Sequence, residues 1–200
     1  MSKIKHKTHK INSLAGNLLI AMPNMQDERF IRSVIYICTH SNEGATGVIL
    51  NKKTNASLLD ILSQLNMSPN DDEPILSHYI NSLPIRSGGP VEPNRGFVIH
   101  TDDYSCAATT AVENKVALTS TVDVLKAIGE GKGPKNVIVA LGHAGWDAGQ
   151  LEAEILDNSW LIYPATNDLI FSDDLENQYD DVLKAMGVNL AFLSSFAGKA

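Results

Sequence analysis

The chain has 200 residues, 44% of them hydrophobic and 20% charged, with a net charge of −7. That length buries enough surface to fold without a metal or disulfide staple, and the composition excludes wholesale disorder. Four of the 16 basic residues (Lys3, Lys5, Lys7, Lys10) stand in the first ten positions; the body that follows holds twelve basic residues against 23 acidic ones, a balance that argues against a surface built for DNA.

Residues 1–12 read as a flexible basic tail and 13–200 as one domain. An apolar stretch, Leu14–Met22, follows the lysines as it would in a secretion signal, but Gly16 and Asn17 break it and Pro23 ends it. A buried strand over Asn17–Met22 is the better expectation. No run of 18 apolar residues exists, so no membrane-spanning helix is expected. The two cysteines, Cys38 and Cys106, are far apart and outside any C-x-x-C pair, which suits a reducing, cytoplasmic compartment.

Val34-Ile35-Tyr36-Ile37-Cys38, within Ser33–His40, has no polar break and predicts a strand covered on both faces. Ser41–Gly44 is turn chemistry, and Ala45–Asn51 is the next strand, antiparallel to the one before. Leu58, Ile61, Leu62 and Leu65 recur at helical spacing over Ser57–Gln64, with Ser57 as cap and Asp60 three residues on. Ser68–Glu73 is a polar loop. Arg86-Ser87-Gly88-Gly89-Pro90 reads as a tight turn, neither helix nor central strand. Gly96–His100 and Val116–Thr119 are short strands. Ser120–Ile128 repeats the helix grammar, with Ser120 as cap and Gly129 as the left-handed exit. Asn136–Leu141 is a buried strand, Gln150–Leu156 a helix, Trp160–Tyr163 a strand, Asp174–Met186 a helix closed by Gly187, and Leu190–Phe196 a last strand. Strands meet strands early and then alternate with helices, which argues an α+β fold, mostly antiparallel, with one parallel crossover.

The densest segment is Leu141–Glu152, LGHAGWDAGQLE. Its three glycines allow sharp bends or close backbone approach, and Asp147 with Gln150 three later reads as a capping box. Free amides at a helix start can hold an anion, yet neither a P-loop nor a G-x-G-x-x-G fingerprint is present. Two readings stand: a structural corner with Trp146 packed beneath it, or a ligand-facing turn. Cys38 and His40, two apart on a strand, share a face by simple alternation and read as a core cysteine beside a strand-end histidine. His100, Asp102 and Asp103 offer metal-type donors but no second histidine, so a structural loop is expected and no metal. Glu152 and Glu154 fall on different sides of a helix and read as surface. Ser120–Gly129 carries Lys126 as its sole base, too little for a DNA-recognition helix.

Around the dense segment the chain resembles the AlgH/YqgE family. LGHAGWDAGQLEAEI is similar to that family's L-G-x-A-G-W-x-x-G-Q-L-E-x-E-I run. Leu18–Pro23 with Asp27, Phe30, Ser33–Tyr36 and His40 resembles its opening block; Glu43-Gly44-Ala45, Gly47 and Asn51 follow in order. Ser87-Gly88-Gly89-Pro90-Val91 with Gly96, Phe97 and His100 matches the middle block, and Trp160, Phe171 and Gly198 complete a likeness over roughly residues 14–199. His143 stands where Tyr or Cys is common, and Ala148 where Pro is common. The resemblance implies an α+β arrangement of coiled, antiparallel or mixed β-sheets with a few flanking helices. It also implies a description some members carry, that of transcriptional regulator, with no cofactor or catalytic set.

The favoured expectation is a non-enzymatic cytoplasmic binding or regulatory protein. It presents the Gly-rich turns at 88–90 and 142–149 to a protein or small-molecule partner, through Gly88, Gly89, Pro90, His100, His143, Trp146, Asp147 and Gln150. No cofactor, metal, membrane or direct DNA contact is expected, and a homodimer through an exposed strand is compatible with the pattern. The alternative is an enzyme, a hydrolase of an anionic small molecule, with the helix start near Asp147 as anion site and His143 and His100 as proton carriers.

Overall fold

The computed structural model describes residues 13–67 and 74–188. The expectations for the tail at 1–12, the loop at 68–73 and a last strand at 190–196 lie outside these residues. In chain order the elements are β1 (Asn17–Ala21), β2 (Val34–Ser41), β3 (Gly44–Ile49), β4 (Lys53–Ser57), α1 (Leu58–Gln64), α2 (Pro74–Ser82), β5 (Pro84–Ser87), β6 (Val91–Thr101), β7 (Thr109–Ala111), β8 (Val116–Thr119), α3 (Val122–Gly129), β9 (Val137–Asp147), α4 (Gln150–Leu156), β10 (Trp160–Pro164), α5 (Asn167–Ile170) and α6 (Gln178–Ala185).

The strands form one curled α+β sheet in the order β10-β1-β2-β3-β9-β6-β8-β7, with β5 and β4 branching from β9. Among the described residues every pairing is antiparallel except β5 on β9, the single parallel crossover. The inner face gathers Leu18, Tyr36, Val48, Ile99 and Ala140 under α5 and α6. The outer face is split in two. Leu19, Ile35, Ala45 and Trp146 lie under α4, while Ile85, Val98 and Val139 lie under α1 to α3.

The strand β9 serves all three clusters because its alternation reverses. Ile138 and Ala140 join the inner core, yet Ala144 and Trp146, of the same parity, join the α4 side. Gly142, with φ of +74°, sits between them. A left-handed residue of this kind throws a strand one step out of phase, and so carries Trp146 to the outer face.

A second bulge corrects the reading of Cys38 and His40. Ile37 pairs with Gly47 and Thr39 with Thr46, so Cys38 is the extra residue. Cys38 therefore packs into the inner core, whereas His40 pairs with Ala45 on the other face. The two do not share a face. Their separation removes the thiol–imidazole pair that simple alternation offers.

Other differences are local. Arg86 and Ser87 belong to a strand and not to a turn, because the buried Arg86 guanidinium donates to the Leu50 and Ser172 carbonyls and holds β5 in place. Burial lowers the Arg86 pKa to about 10. The segment 142–147 is strand, and the turn is confined to Ala148 and Gly149. In α3 the cap is Thr121 and not Ser120, and the left-handed residue is Gly131 rather than Gly129. Ser57 caps α1 as expected, accepting from the Asp60 amide at 3.4 Å.

Candidate functional site

Two Gly-rich segments, the link from β5 to β6 and the stretch of β9 around Gly142, meet back to back. A Cβ on Gly88 would lie 2.3 Å from the Gly142 carbonyl oxygen, and one on Gly89 would lie 2.2 Å from the His143 carbonyl carbon. The Gly88 amide donates to the Leu141 carbonyl at 2.8 Å, and the Gly88 carbonyl accepts from Ile49 at 2.9 Å. Gly88 and Gly89 are thus buried structural contacts that let Pro90 and β6 leave β9 at a fixed point.

That departure opens a cleft of about 510 Å³ between the 24–30 loop, the start of β6, the end of β9 and α4. Pro90, Trp146 and Gln150 line it, together with Phe30, Glu154 and Trp160. Three aromatic rings meet edge to face, Phe30 on Trp160 at 5.7 Å and Trp146 on Trp160 at 6.0 Å. Glu154 is the hub. Its Oε2 accepts from the indole N–H of Trp146 at 2.8 Å and of Trp160 at 2.7 Å, and its Oε1 accepts from Gln150 Nε2 at 2.8 Å. Gln150 in turn accepts from the Asp147 amide at 3.0 Å, which is one half of the expected capping box. The other half is missing: the cap position belongs to Gly149, with φ of +77° and no side-chain bond.

Glu152 and Glu154, expected on the surface, are half-buried and bonded to neighbouring side chains. Glu152 Oε1 lies 2.9 Å from His40 Nε2. Because His40 Nδ1 accepts from the Leu14 amide, Nε2 carries the proton and donates to Glu152. Glu154, Trp160, Phe30 and Asp27 were not among the expected site residues. The one available signal was the Gln150, Glu154 spacing of four within α4, which sets those two side chains on one helical face.

His143 lines a separate pocket of about 190 Å³ with Cys38, Glu92, Arg95 and Phe97. Its ring meets Phe97 edge to face at 5.1 Å, and Nδ1 is 3.9 Å from Glu92. Desolvation lowers the His143 pKa, against Glu92, which raises it, and with Arg95, which lowers it further. Cys38, in the same pocket, has its pKa raised to about 12 by burial, which disfavours the thiolate.

His100 is fully buried. Its Nδ1 is 2.8 Å from the Thr101 carbonyl and its Nε2 is 2.9 Å from Thr119 Oγ1. It pairs with Val137, six positions along β9 from His143, which is roughly 20 Å. The two histidines therefore do not face a common substrate. Asp103 is tied to Thr101 and to the Lys135 amide. Among the described residues no group of three His, Cys, Asp or Glu is placed to hold a metal ion, and no helix is long and apolar enough to cross a membrane.

The thiols give a direct check. The Cys106 pKa is lowered by its contact with Thr109, and the residue is partly exposed. A maleimide added at pH 8 to the native protein is expected to label Cys106 alone, and Cys38 only after denaturation, as read by peptide mass spectrometry. Labelling of Cys38 in the native protein would contradict its placement.

A family model described as AlgH-like matches residues 18–191. A UPF0301 protein from Bartonella tribocorum is 49% identical over 94% of this chain and 96% of its own. One from Rhizobium rhizogenes is 46% identical over 100% and 99%. The solution structure of the AlgH protein from Pseudomonas aeruginosa superposes with a TM-score of 0.74 at 36% identity, covering 100% of both chains. A crystal structure of a Corynebacterium diphtheriae protein, at 22% identity, shares the fold with a TM-score of 0.69 over 90% of this chain and 91% of that one.

Proposed function

This chain belongs to the AlgH-like family, and from that premise we propose that it is a cytoplasmic binding protein of regulatory type whose ligand sits in the cleft around Glu154. One observation carries the reading. Two indole N–H groups and a side-chain amide converge on a single carboxylate at the base of an open, aromatic-walled cleft. Shared acceptors of this kind fix ring orientation, and a pre-organised wall lowers the entropy cost of binding. Asp27, Glu154 and Asp157 line the cleft against the lone guanidinium of Arg29. Any part in transcription therefore runs through another molecule and not through DNA.

Both tryptophans of the chain line this cleft, so their emission reports on its occupancy. A thermal-shift screen followed by fluorescence titration is the test. Ligands that raise the melting temperature are expected to shift tryptophan emission as well. Stabilising ligands that leave both indoles unperturbed would assign binding to another surface. Duplex DNA at low ionic strength is expected to show no salt-sensitive association; such association would restore a direct DNA-binding role. The enzymatic alternative draws no support from His100 and His143, because one is sealed and the other opens on a different pocket.

A further inference from the structure

The ladder between β9 and β3 runs from Gly47↔Ala144 to Gly44↔Asp147, whereas the ladder between β9 and β6 reaches only Val91↔His143. Among the described residues, Ala144–Asp147 therefore has a strand on one side only. In an antiparallel ladder successive residues address opposite edges with their N–H and C=O groups. The Asp147 amide bonds to the Gln150 side chain, so it points away from β3. Two residues earlier, Gly145 points the same way. Gly145 is exposed, lines the cleft and has no side chain to obstruct an approaching backbone.

We propose that the cleft's occupant is an extended peptide segment that adds as a strand to the free edge of β9 at Gly145 and places a lysine or arginine side chain against Trp146, Trp160 and Asp157. The proposal rests on reading the cleft as the binding site and names what fills it. Strand addition supplies affinity through main-chain hydrogen bonds, and the flanking pocket supplies selectivity. The pocket favours a cation on two counts. Three carboxylates line it, and its guanidinium, Arg29, is already held by Asp27 at 2.6 Å. Its aromatic walls also offer apolar surface on which the stem of a long basic side chain can lie. A volume of about 510 Å³ suits a short segment.

The test is tryptophan fluorescence titration of the full chain with pools of acetylated, amidated hexapeptides. These are random apart from one central position fixed as Arg, Ala or Glu. The Arg pool is expected to shift the emission and to bind about tenfold more tightly than the Glu pool. Asp157→Asn, an exposed change that removes one cleft charge, is expected to weaken the Arg pool about fivefold and the Ala pool by less. N-methylation of alternate backbone amides is expected to abolish binding. Equal binding of the Glu and Arg pools, or undiminished binding of the N-methylated pool, overturns the proposal. If no peptide pool shifts the emission but a small-molecule fragment does, the peptide proposal falls and the binding function stands. If stabilising ligands never reach the tryptophans, both fall.

Discussion

Gly89→Ala is expected to cost about 3 kcal/mol or more of folding stability, read as a large drop in the urea midpoint or as a failure to fold. Two costs add. The residue sits at φ of +150°, a conformation that side-chain-bearing residues rarely adopt. Its Cβ would also lie 2.2 Å from the His143 carbonyl carbon, 2.3 Å from the oxygen and 2.4 Å from the Ala144 amide nitrogen. These are backbone atoms of β9, held by Val91 of β6 at His143 and by Gly47 of β3 at Ala144, and not the far end of a flexible side chain, so nothing soft can yield. Gly149→Ala is the control. It also sits at positive φ, +77°, but nothing lies within 4 Å of the added methyl. Only the backbone penalty remains, about 1–2 kcal/mol. Equal losses in the two variants would show that the close approach of Gly89 to β9 is not what demands glycine.

The second large effect concerns Glu154. Glu154→Ala is expected to destabilise the protein by about 2–4 kcal/mol, because it strands the N–H groups of two indoles on residues only 7% and 4% exposed. An unpaired buried donor costs far more than the net worth of the bond it lost. Glu154→Gln is expected to be milder, about 1 kcal/mol. Its amide oxygen can still accept from both indoles, but its NH₂ group then meets the NH₂ group of Gln150. Turning Gln150 over would only break its bond with the Asp147 amide. In a Trp160→Phe background, where one donor is already gone, Glu154→Ala should cost measurably less than in the parent. Additive losses, measured by chemical denaturation of all four proteins in the cycle, would mean that the carboxylate stabilises α4 without its indole partners.

Much of this was readable in the chain. The uninterrupted apolar runs of β1, β2 and β9 mark strands buried on both faces, and Ser57 marks the start of α1, because each is a local signal with a local cause. The signals that failed were of two kinds. Lys53–Ser57 and Thr109–Ala111 are short and largely exposed, so they carry little periodicity, and their pairing comes from neighbours far along the chain. Pro74 at the first position of α2 was a usable helix-start cue, but it was hidden behind the polar run of 68–73. The glycines of 142–149 misled in a more instructive way. They read as chain-bending corners. Most of them instead lie within a strand, where the requirement is room for a second backbone and one reversal of phase at Gly142. The same blindness to phase put Cys38 and His40 on one face, since a bulge leaves no mark in composition; the core cysteine and strand-end histidine themselves stand where they were expected. Of the cleft lining, Trp146, Gln150 and Pro90 were among the expected residues, and Glu154 was not. A lone carboxylate on a helix looks solvated until the tertiary fold delivers two indoles to it.

The central position of β9 bears on how the chain assembles. It is the neighbour of β3, β5 and β6 at once, yet it lies some fifty residues or more downstream of β3 and β5. As the polypeptide leaves the ribosome, β1 to β3 form a meander with a raw edge, and the layer holding β4 and β5 has nothing to lean on. Neither becomes a closed body until residue 147 or so has emerged. The fold is therefore committed late in synthesis, when a single segment is laid between two waiting partial sheets.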